Sequence, residues 1–440
     1  MKKVRFLVRL IGAFLTRHKY IVLCGFIGGI IFFLFLPRIF SLIPLSKKTE
    51  VIGIAGRFNS EEIPLEIQNL ASYGLTKIEK DGSPAPALAS GWNVEADGKI
   101  YTFILRDAFW QDNTKVSAQD INYNFKDVKI EILDVKTIRF TLKEPFSPFP
   151  VIVSRPIFKK GLTGLGQYKI EKITKSGQYL ESVTLKSLNS QAPDLKYRFY
   201  PTEESAKMAF KLGEVRVLKN LTNIFGFEDW RNIQIIPKIR YDQYVGLFLN
   251  TSKSLLQEKT FRQALSYAIE KKEGNSRAIG PISPKSWAYN DEVKQYNQDF
   301  TNARKLLDKT FGGKHPELII KITTVSSLLA QADEIKNSWE KLGIKVDIDA
   351  FTSLENDFDA LLVTQEISSD PDQYSFWHST QDSNITEFKN PKIDKLLEDG
   401  RKTLNREERR NIYFDFQRFL VEEVPAIFLY HPTVYDLSRK

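Results

Sequence analysis

The stretch QEISSDPDQYSFWHS, which begins at Gln365, holds the residue types in this chain that are best suited to chemistry. Asp370 and Asp372 flank a proline, and the aromatic residues Tyr374 and Trp377 follow directly. Such a cluster could form a pair of catalytic carboxylates, a metal cage or one wall of a ligand cleft. Turn formation is the simpler interpretation of the two aspartates, because Asp-Pro-Asp favours a turn.

Motifs of the common enzyme classes are missing from the sequence. There is no G-x-S-x-G elbow, no Walker loop, no G-x-G-x-x-G and no H-E-x-x-H. The four histidines are scattered, and none has a histidine or cysteine at metal-ligand spacing. SSDPDQ also lacks two features of a calcium-binding loop, the regular alternation of Asp or Asn residues and the terminal glutamate. We therefore expect no catalytic residues, metal or cofactor, although a hydrolase could draw its two carboxylates from distant positions.

The composition limits the class of protein. The chain has 440 residues, of which 42% are hydrophobic and 12% aromatic, which suits one large two-lobed domain or two to three ordinary domains. Its net charge of +9 could indicate nucleic acid, but much of the excess lies before Tyr20. We therefore expect no nucleic-acid partner. The single cysteine, Cys24, excludes an intrachain disulfide.

A long apolar run lies near the N-terminus. YIVLCGFIGGIIFFLFL carries no charge before Arg38, and IFSLIPL continues it. This run predicts a transmembrane signal-anchor helix over residues 20–45, preceded by a basic cytoplasmic tail over residues 1–19. The remaining chain would then lie outside the cell membrane. A cleaved signal peptide is the alternative, but the run is long for one and no clear cleavage site follows it.

Two patterns in the first half of the exterior chain predict local structure. GWNVEADGKIYTFILR is typical of a hairpin turning at Asp97 and Gly98, with one buried face formed by Tyr101, Phe103 and Leu105. VSAQDINYNF predicts the start of a helix, because serine followed three residues later by aspartate forms a capping-box pattern.

The second half predicts a crossover unit and a long helix. ELIIKITTV and IKVDIDAF read as strands, and SSLLAQADEIKNSWEKLG between them as a helix, so the two strands should be parallel. NREERRNIYFDFQRFLVEEVP predicts an amphipathic helix capped by Asn405. Its expected buried stripe contains four residues: Ile412, Phe416, Phe419 and Leu420. The exterior chain is therefore α/β, with hairpins early and a crossover late.

An ordered series of motifs carries a family resemblance. The series begins with ASYGLTKIEKDGSPAPALASGWNVEADGKIYTFILR and continues through GLGQYKI, YVGLFLNTSKSLLQEKTFRQALSYAIEK, FDALLV, DPDQYSFWHS, NPKIDKLLEDGRKT and VPAIFLYHP. In this order the motifs resemble the extracellular solute-binding proteins of family 5, the peptide-, dipeptide- and nickel-binding components of ABC importers. The resemblance covers most of residues 50–435.

The resemblance implies a fold, a function and partners. The fold would be the two-lobed periplasmic-binding-protein-like fold of class II, cluster C type, over residues 49–440, with a hinge and an interlobe cleft. Lobe one would take residues 49–244 and 426–440, and lobe two residues 245–425. The protein would capture a peptide or related small solute by closure of the lobes and present it to separate permease subunits. The segment after Phe125 is shorter than in typical members.

The resemblance places the opening stretch in the cleft wall of lobe two. Peptide-binding relatives have a Trp-x-x-Asp before the Asp-Pro-Asp, and its carboxylate pairs with the amino terminus of the ligand. In this chain the tryptophan position is Thr364 and the aspartate position is Ile367. Glu366 could substitute after a small register shift. Otherwise the protein does not select free amino termini, because burial of an unpaired ammonium costs several kcal/mol.

Further candidates for the cleft are aromatic. Besides Asp370, they are Tyr73, Trp287, Tyr289, Tyr374 and Trp377, for each of which core packing is the alternative. The lost aspartate and the shortened segment leave a second function open, a non-transport sensor or interaction module with a degenerate cleft. An exported hydrolase is the third class, which the missing nucleophile motifs disfavour.

Overall fold

The computed structural model describes most of the chain after the N-terminal segment. The described residues are 16–21, 24–25, 27–29, 32–33, 48–314, 316–351 and 358–440. Most of the predicted tail and of the predicted transmembrane helix lies outside them. Among the described residues, no helix combines the length and hydropathy needed to cross a bilayer. The chain divides into two compact units, Met1–Thr49 with Ser190–Asp194 and Glu50–Asn189 with Leu195–Lys440. The second unit contains both lobes apart from Thr49 and Ser190–Asp194.

Strands dominate the two lobes, and they are numbered here in chain order. They are β1 (Thr49–Ala55), β2 (Thr76–Ile78), β3 (Pro84–Pro86), β4 (Ala89–Glu95), β5 (Ile100–Leu105), β6 (Val128–Ile132), β7 (Thr137–Leu142), β8 (Tyr168–Ser176), β9 (Tyr179–Ser187), β10 (Asp194–Tyr200), β11 (Val217–Leu221), β12 (Ile233–Ile239), β13 (Gln243–Leu249), β14 (Leu318–Thr324), β15 (Ile344–Ala350), β16 (Ala360–Glu366), β17 (Ala426–Tyr430) and β18 (Thr433–Arg439).

Helices are numbered in the same way. They are α1 (Leu65–Ala71), α2 (Phe149–Ile152), α3 (Glu203–Leu212), α4 (Lys259–Ala268), α5 (Phe300–Phe311), α6 (Leu329–Glu340), α7 (Tyr374–Trp377), α8 (Pro391–Lys402) and α9 (Arg406–Glu423). Helix α9 begins where the sequence predicts, because the Asn405 side chain accepts hydrogen bonds from the backbone N–H groups of Glu407 and Glu408.

Lobe one is built on two larger sheets and a two-stranded ladder. The seven-stranded sheet has the order β12-β18-β11-β1-β10-β9-β8, and the four-stranded sheet has the order β4-β5-β7-β6. Strands β2 and β3 form the ladder. The predicted hairpin is confirmed as β4 and β5, and Tyr101, Phe103 and Leu105 are buried. Four residues rather than two connect Glu95 to Ile100, and three of them, Ala96, Asp97 and Gly98, have positive φ.

Lobe two is built on the five-stranded sheet β15-β14-β16-β13-β17. Strands β14 and β15 are parallel and are joined through α6, which confirms the predicted crossover unit. The last strand of this sheet, β17, pairs with β13. The chain therefore returns to the seven-stranded sheet only at β18, whereas the sequence analysis placed that return at Ala426.

The helix predicted from VSAQDINYNF is wrong. The capping box forms between Ser117 and Asp120, but only one 3₁₀ turn follows it, over Ala118–Asp120. Tyr123 explains the early stop: its hydroxyl donates to the Val153 carbonyl at 2.7 Å and accepts from the backbone of lobe one. Drawing this side chain into the core pulls the backbone away from helical geometry, so tertiary contacts override the local signal.

The buried face of α9 differs from the predicted buried stripe by a rotation about the helix axis. Phe416 and Leu420 are buried as expected, whereas Ile412 and Phe419 are only partly buried. Arg409 and Gln417 take places on the buried face instead. Their polar groups are satisfied within the lobe, because Arg409 donates to Asp370 and Gln417 donates to the Ala288 carbonyl.

His431 lies between β17 and β18, where the chain passes from one sheet to the other. The side chain is buried, and its Nδ1 donates to the Gln243 carbonyl at 2.7 Å. Burial lowers the pKa of His431 below its ordinary value of 6.5, although the hydrogen bond and Asp242 oppose that shift. The folded protein therefore resists protonation here more than the unfolded chain does.

A pH dependence of stability follows from this histidine. Because the pKa of His431 is lower in the folded state, the unfolded chain binds more protons as the pH falls through 6.5, and the free energy of unfolding should decrease. The variant His431→Gln keeps a donor for the Gln243 carbonyl but cannot titrate. Denaturant unfolding at pH 7.5 and pH 5.5 should show a smaller loss for the variant than for the wild type. Equal losses would contradict the assignment.

Candidate functional site

A cavity of about 340 Å³ lies between the two lobes. Lobe one contributes Ser83, Pro84, Trp92, Val94, Tyr101, Ser147 and Pro150. Lobe two contributes Trp287, Asp370, Leu404, Arg406 and Arg409. We call this the first cavity. Its size and its mixture of aromatic walls with a few polar groups are typical of a small-molecule site.

The hairpin β4–β5 forms the lobe-one wall of the first cavity. Trp92 and Val94 are two residues apart on β4 and therefore share one face of the strand, and Tyr101 lies directly opposite Val94 on β5. The Tyr101 hydroxyl donates to the Phe146 carbonyl at 3.0 Å. Burial raises the pKa of Tyr101 well above its usual value, so this group stays a neutral donor.

The N-terminal turn of α9 forms much of the lobe-two wall. Arg406 and Arg409 lie on one face of the helix because they are three residues apart. The Nη1 and Nη2 atoms of Arg409 donate to the two carboxylate oxygens of Asp370 at 2.8 and 2.5 Å, and its Nε donates to the Gly400 carbonyl. Asp370 is only 4% exposed, so this bidentate pair is buried.

The aspartates of the opening stretch are structural. The Asp370 side chain accepts from the backbone N–H of Asp372, and the Asp372 side chain accepts from that of Tyr374, which confirms the turn interpretation. Burial raises the pKa of Asp372, and its ion pair with Arg401 at 2.9 Å opposes that shift. Each aspartate is thus paired with an arginine. In the described part of the chain, no cluster of three metal-ligating side chains occurs.

Direct contacts join the lobes beside the first cavity. Arg406 forms an ion pair with Asp81 of lobe one at 2.7 Å, and the backbone N–H of Trp287 donates to the Asp81 carbonyl at 2.9 Å. The backbone N–H of Ser147 donates to the Arg401 carbonyl at 2.7 Å. A hydrogen bond from Ser83 and the charge of Arg406 lower the pKa of Asp81 to about 2, so this carboxylate is ionised in ordinary buffers.

A second cavity, of about 190 Å³, adjoins the first. Its lining is Ile78, Glu79, Lys80, Gly82, Tyr241, Asp242, Ser283, Lys285, Ser286, Ile367, Ser368 and Ser369. Three chain segments pass directly from one cavity to the other, because Gly82, Ser286 and Ser369 are each followed by a residue that lines the first. The two cavities are therefore neighbours, and together they are called the cleft.

The predicted site residues fall into separate groups. Trp287 and Asp370 line the first cavity, and Ile367 lines the second. Tyr289 lines a further cavity of about 590 Å³, which shares Tyr241 and Lys285 with the second, and burial raises the pKa of Tyr289 to about 12.

Four predicted residues lie away from these three cavities. Thr364 and Glu366 are exposed on β16, where they pair with Val245 and Gln243. Tyr73 is 36% exposed in the loop after α1, and the Tyr374 ring contacts both the Arg401 guanidinium and the His378 ring. Their contact with a ligand stays a prediction.

Trp377 packs in the core of lobe two rather than in the cleft. It is 1% exposed, and its ring lies 6.2 Å from that of Phe248 on β13. Helix α7 thus turns this side chain toward the five-stranded sheet. The core-packing alternative is therefore the correct interpretation of Trp377.

Several residues that line the first cavity are not among the site residues predicted from the sequence. Trp92 and Tyr101 appeared only as parts of a hairpin, and Arg406 and Arg409 as charges at the start of a helix. One signal was available for Arg409: it stands four residues before Tyr413 and seven before Phe416, so it continues the buried face of α9. An arginine on that face needs a buried acidic partner, and Asp370 was already a predicted site residue.

Comparisons with known proteins agree on one family. A sequence model of bacterial extracellular solute-binding proteins, family 5 Middle, matches residues 83–387. The chain is 24% identical over 437 residues to the probable D,D-dipeptide-binding periplasmic protein DdpA of Escherichia coli K12, with 83% of this chain and 81% of the relative covered.

Solved structures give the same fold. NikZ from Campylobacter jejuni, in complex with Ni(L-His), superposes with a TM-score of 0.73 at 25% identity, over 90% of this chain and 95% of that one. The ABC transporter-associated periplasmic binding protein DppA from Helicobacter pylori, in complex with the peptide STSA, superposes with a TM-score of 0.66 at 21% identity, over 89% and 94% of the two chains. The chain therefore has the two-lobed periplasmic-binding-protein-like fold.

Proposed function

The chain belongs to the bacterial extracellular solute-binding proteins of family 5, and from this premise we propose that it captures a peptide or a related small solute for an ABC importer. The observation that carries the proposal is the first cavity, which residues of both lobes line. A ligand there would touch Trp92 of lobe one and Trp287 of lobe two at the same time. Its binding energy would thus favour the closed arrangement of the lobes, since an open arrangement offers only one wall.

The interlobe contacts suit reversible closure. The ion pair between Asp81 and Arg406 is exposed on both sides, and exposed pairs typically contribute about 0–1 kcal/mol. Such weak contacts align the two lobes in the closed arrangement without preventing them from opening again. Closure would then depend on the ligand, and a permease could recognise the closed form.

We place the binding domain outside the cell membrane. The supporting observation is the uncharged run from Tyr20 to Pro37, preceded by basic residues, which is typical of a signal anchor with its N-terminus in the cytoplasm. The solute-binding domain over residues 49–440 would then face the permease subunits from the outer side of the membrane. A cleaved signal peptide would give the same compartment without the anchor.

A second function has one observation in its favour. Ile367 lines the second cavity at the position where the resemblance puts an amine-pairing aspartate. A chain that no longer needs a peptide ligand could lose that residue and serve as a sensor or interaction module. Loss of all small-molecule binding would favour this function over transport.

A thermal-shift screen of the full-length chain in mild detergent tests the proposal. The panel is mixed free peptides, N-acetylated peptides, sugars and nickel chelates. A ligand that binds only the folded state adds about 2.7 kcal/mol of stability at one hundred times its dissociation constant, so at least one class should raise the unfolding midpoint. The variant Trp287→Ala should abolish that increase. Trp230→Ala, which removes a partly exposed tryptophan remote from the cleft lining, should preserve it. If no class of ligand raises the unfolding midpoint, the proposal is wrong.

A further inference from the structure

We infer that the ligand is a small organic acid with an apolar body and no free ammonium group, such as an N-acylated amino acid or dipeptide. This inference rests on the proposed function and names the substrate class of the same cleft. It follows from which charged side chains along the two cavities already have a partner and which do not.

The carboxylates of the cleft are already neutralised. Among the described residues that line the two cavities, every carboxylate has a cationic partner: Asp370 has Arg409, Asp242 has Arg240 at 2.7 and 2.8 Å, and Glu79 has Lys77 at 2.8 Å. Asp81, at the edge of the cleft, has Arg406. An ammonium group of a ligand would find no unpaired acid among the residues that line these two cavities; Glu273 and Asp291, for which the described residues provide no ion pair, line the third cavity.

These pairs differ in strength, but none favours an amine. Asp370 is buried and bound at both oxygens, so its release from Arg409 would leave a guanidinium unpaired in a low dielectric. Asp242 is held by two hydrogen bonds from Arg240. Glu79 is exposed and is already paired with Lys77. A buried ammonium would therefore lose its hydration without compensation.

Two lysines of the second cavity lack an acidic partner. Both residues line this cavity and are exposed, and in the described parts of the chain neither Lys80 nor Lys285 forms an ion pair with a carboxylate. The Nζ atom of Lys285 lies 4.9 Å from the centre of the Tyr241 ring, which holds the ammonium group at the cavity wall. An acidic group of a ligand would find its counter-charge there.

The first cavity suits the rest of such a molecule. Apart from its charged pair, its walls are mainly apolar or aromatic: Pro84, Trp92, Val94, Tyr101, Pro150, Trp287 and Leu404. The guanidinium groups of Arg406 and Arg409 line the same space, and each is paired with an aspartate, so this cavity presents little net charge to a ligand. The geometry thus favours an apolar body in the first cavity and an acid directed toward Lys285 in the second.

Four forms of one dipeptide test the two halves of this inference. Alanyl-phenylalanine is used with its amine free or acetylated and with its carboxyl free or amidated, and each form is titrated calorimetrically into the full-length chain. The acetylated acid should bind most tightly, and the amine with an amidated carboxyl should bind at least roughly tenfold more weakly. Equal or tighter binding of the free-amine amide would overturn the inference, and so would absence of binding by all four forms.

The outcomes separate this inference from the proposed function. If the free-amine forms bind best, the cleft still captures a solute, and only the inference about the charge of the ligand is wrong. If neither these four forms nor any class in the thermal-shift screen binds, the proposed function itself fails.

A lysine variant assigns the acid to its counter-charge. Lys285→Gln should weaken binding of the acetylated acid by roughly tenfold and leave the acetylated amide unchanged, because only the acid uses the ammonium group. Lys345→Gln, an exposed lysine on β15 that lines neither cavity, is the matched control and should change neither affinity. Equal losses for acid and amide in Lys285→Gln would contradict the assignment.

Discussion

Replacing Arg409 by methionine is expected to lower the free energy of unfolding by roughly 3–5 kcal/mol. The guanidinium makes two hydrogen bonds to Asp370, which is almost completely buried, and a third to the Gly400 carbonyl. Methionine fills similar space but leaves a buried carboxylate and a buried carbonyl without these donors. Denaturant unfolding of the full-length chain, followed by circular dichroism, measures the loss.

The neighbouring arginine gives the control for this prediction. Arg410 is on the same helix but exposed, and its only ion pair is a 3.8 Å contact with Glu407 among the residues that the structure describes, so Arg410→Met should change stability by no more than about 0.5 kcal/mol. Adding Asp370→Asn to Arg409→Met should recover part of the loss, because the unpaired charge is removed. Similar losses for Arg409→Met and Arg410→Met would contradict a buried pair.

Replacing Gly82 by alanine is expected to weaken ligand binding by roughly tenfold or more. Gly82 has a φ of +82°, and a Cβ atom there would lie 2.4 Å from the Ser369 carbonyl oxygen of the opposite lobe. The left-handed backbone alone costs a non-glycine residue about 1–2 kcal/mol. The clash adds to that cost only when the lobes approach, so alanine should disfavour the closed form.

Gly161 separates backbone strain from the clash between lobes. Its φ is +81°, almost the same as that of Gly82, but an added Cβ would meet nothing within 4 Å. Gly161→Ala should therefore show a similar loss of stability without a loss of ligand affinity. Calorimetric titration of both variants with the tightest probe decides the point. Equal affinities for Gly82→Ala and Gly161→Ala would show that closure at Gly82 does not contribute to binding.

Sequence periodicity was sufficient for the elements whose faces are cleanly divided. The alternation in IKVDIDAF and the helix before it predict the parallel pair β14 and β15, because burial of one face contributes most of the stability there. Periodicity was insufficient after Ser117, where the capping box forms but Tyr123 bonds to Val153 and ends the helix. A local capping signal contributes less free energy than a buried side chain that makes two hydrogen bonds.

The ion-pair partners of the charged site residues could not be assigned from the sequence, for a different reason. Asp370 and Asp372 predict a turn, which forms, but their arginine partners lie 39 and 29 residues further along the chain. The partner of a charge depends on which helices pack together, and α8 and α9 are brought to this turn only by the complete lobe. Once these aspartate–arginine pairs are known, the lysines that lack an acidic partner can be identified as well.

The aromatic candidates illustrate the same limit. Trp287 and Trp377 are the same residue type, and the sequence offered both as cleft candidates with core packing as the alternative. In the structure Trp377 packs against Phe248 in the core, whereas Trp287 lines the cavity beside Arg406. Burial of an aromatic ring is favourable in either place, so composition and spacing alone do not distinguish a core residue from a cleft residue.

The most direct test of a solute-binding cleft is to locate the ligand. A crystal structure of the chain, grown with the probe that raises the unfolding midpoint most, would show where that molecule lies. We expect its density in the first cavity, in contact with Trp92 of lobe one and Trp287 of lobe two, with any acidic group directed toward Lys285. A ligand bound outside this cleft, or in contact with only one lobe, would contradict capture by closure of the two lobes.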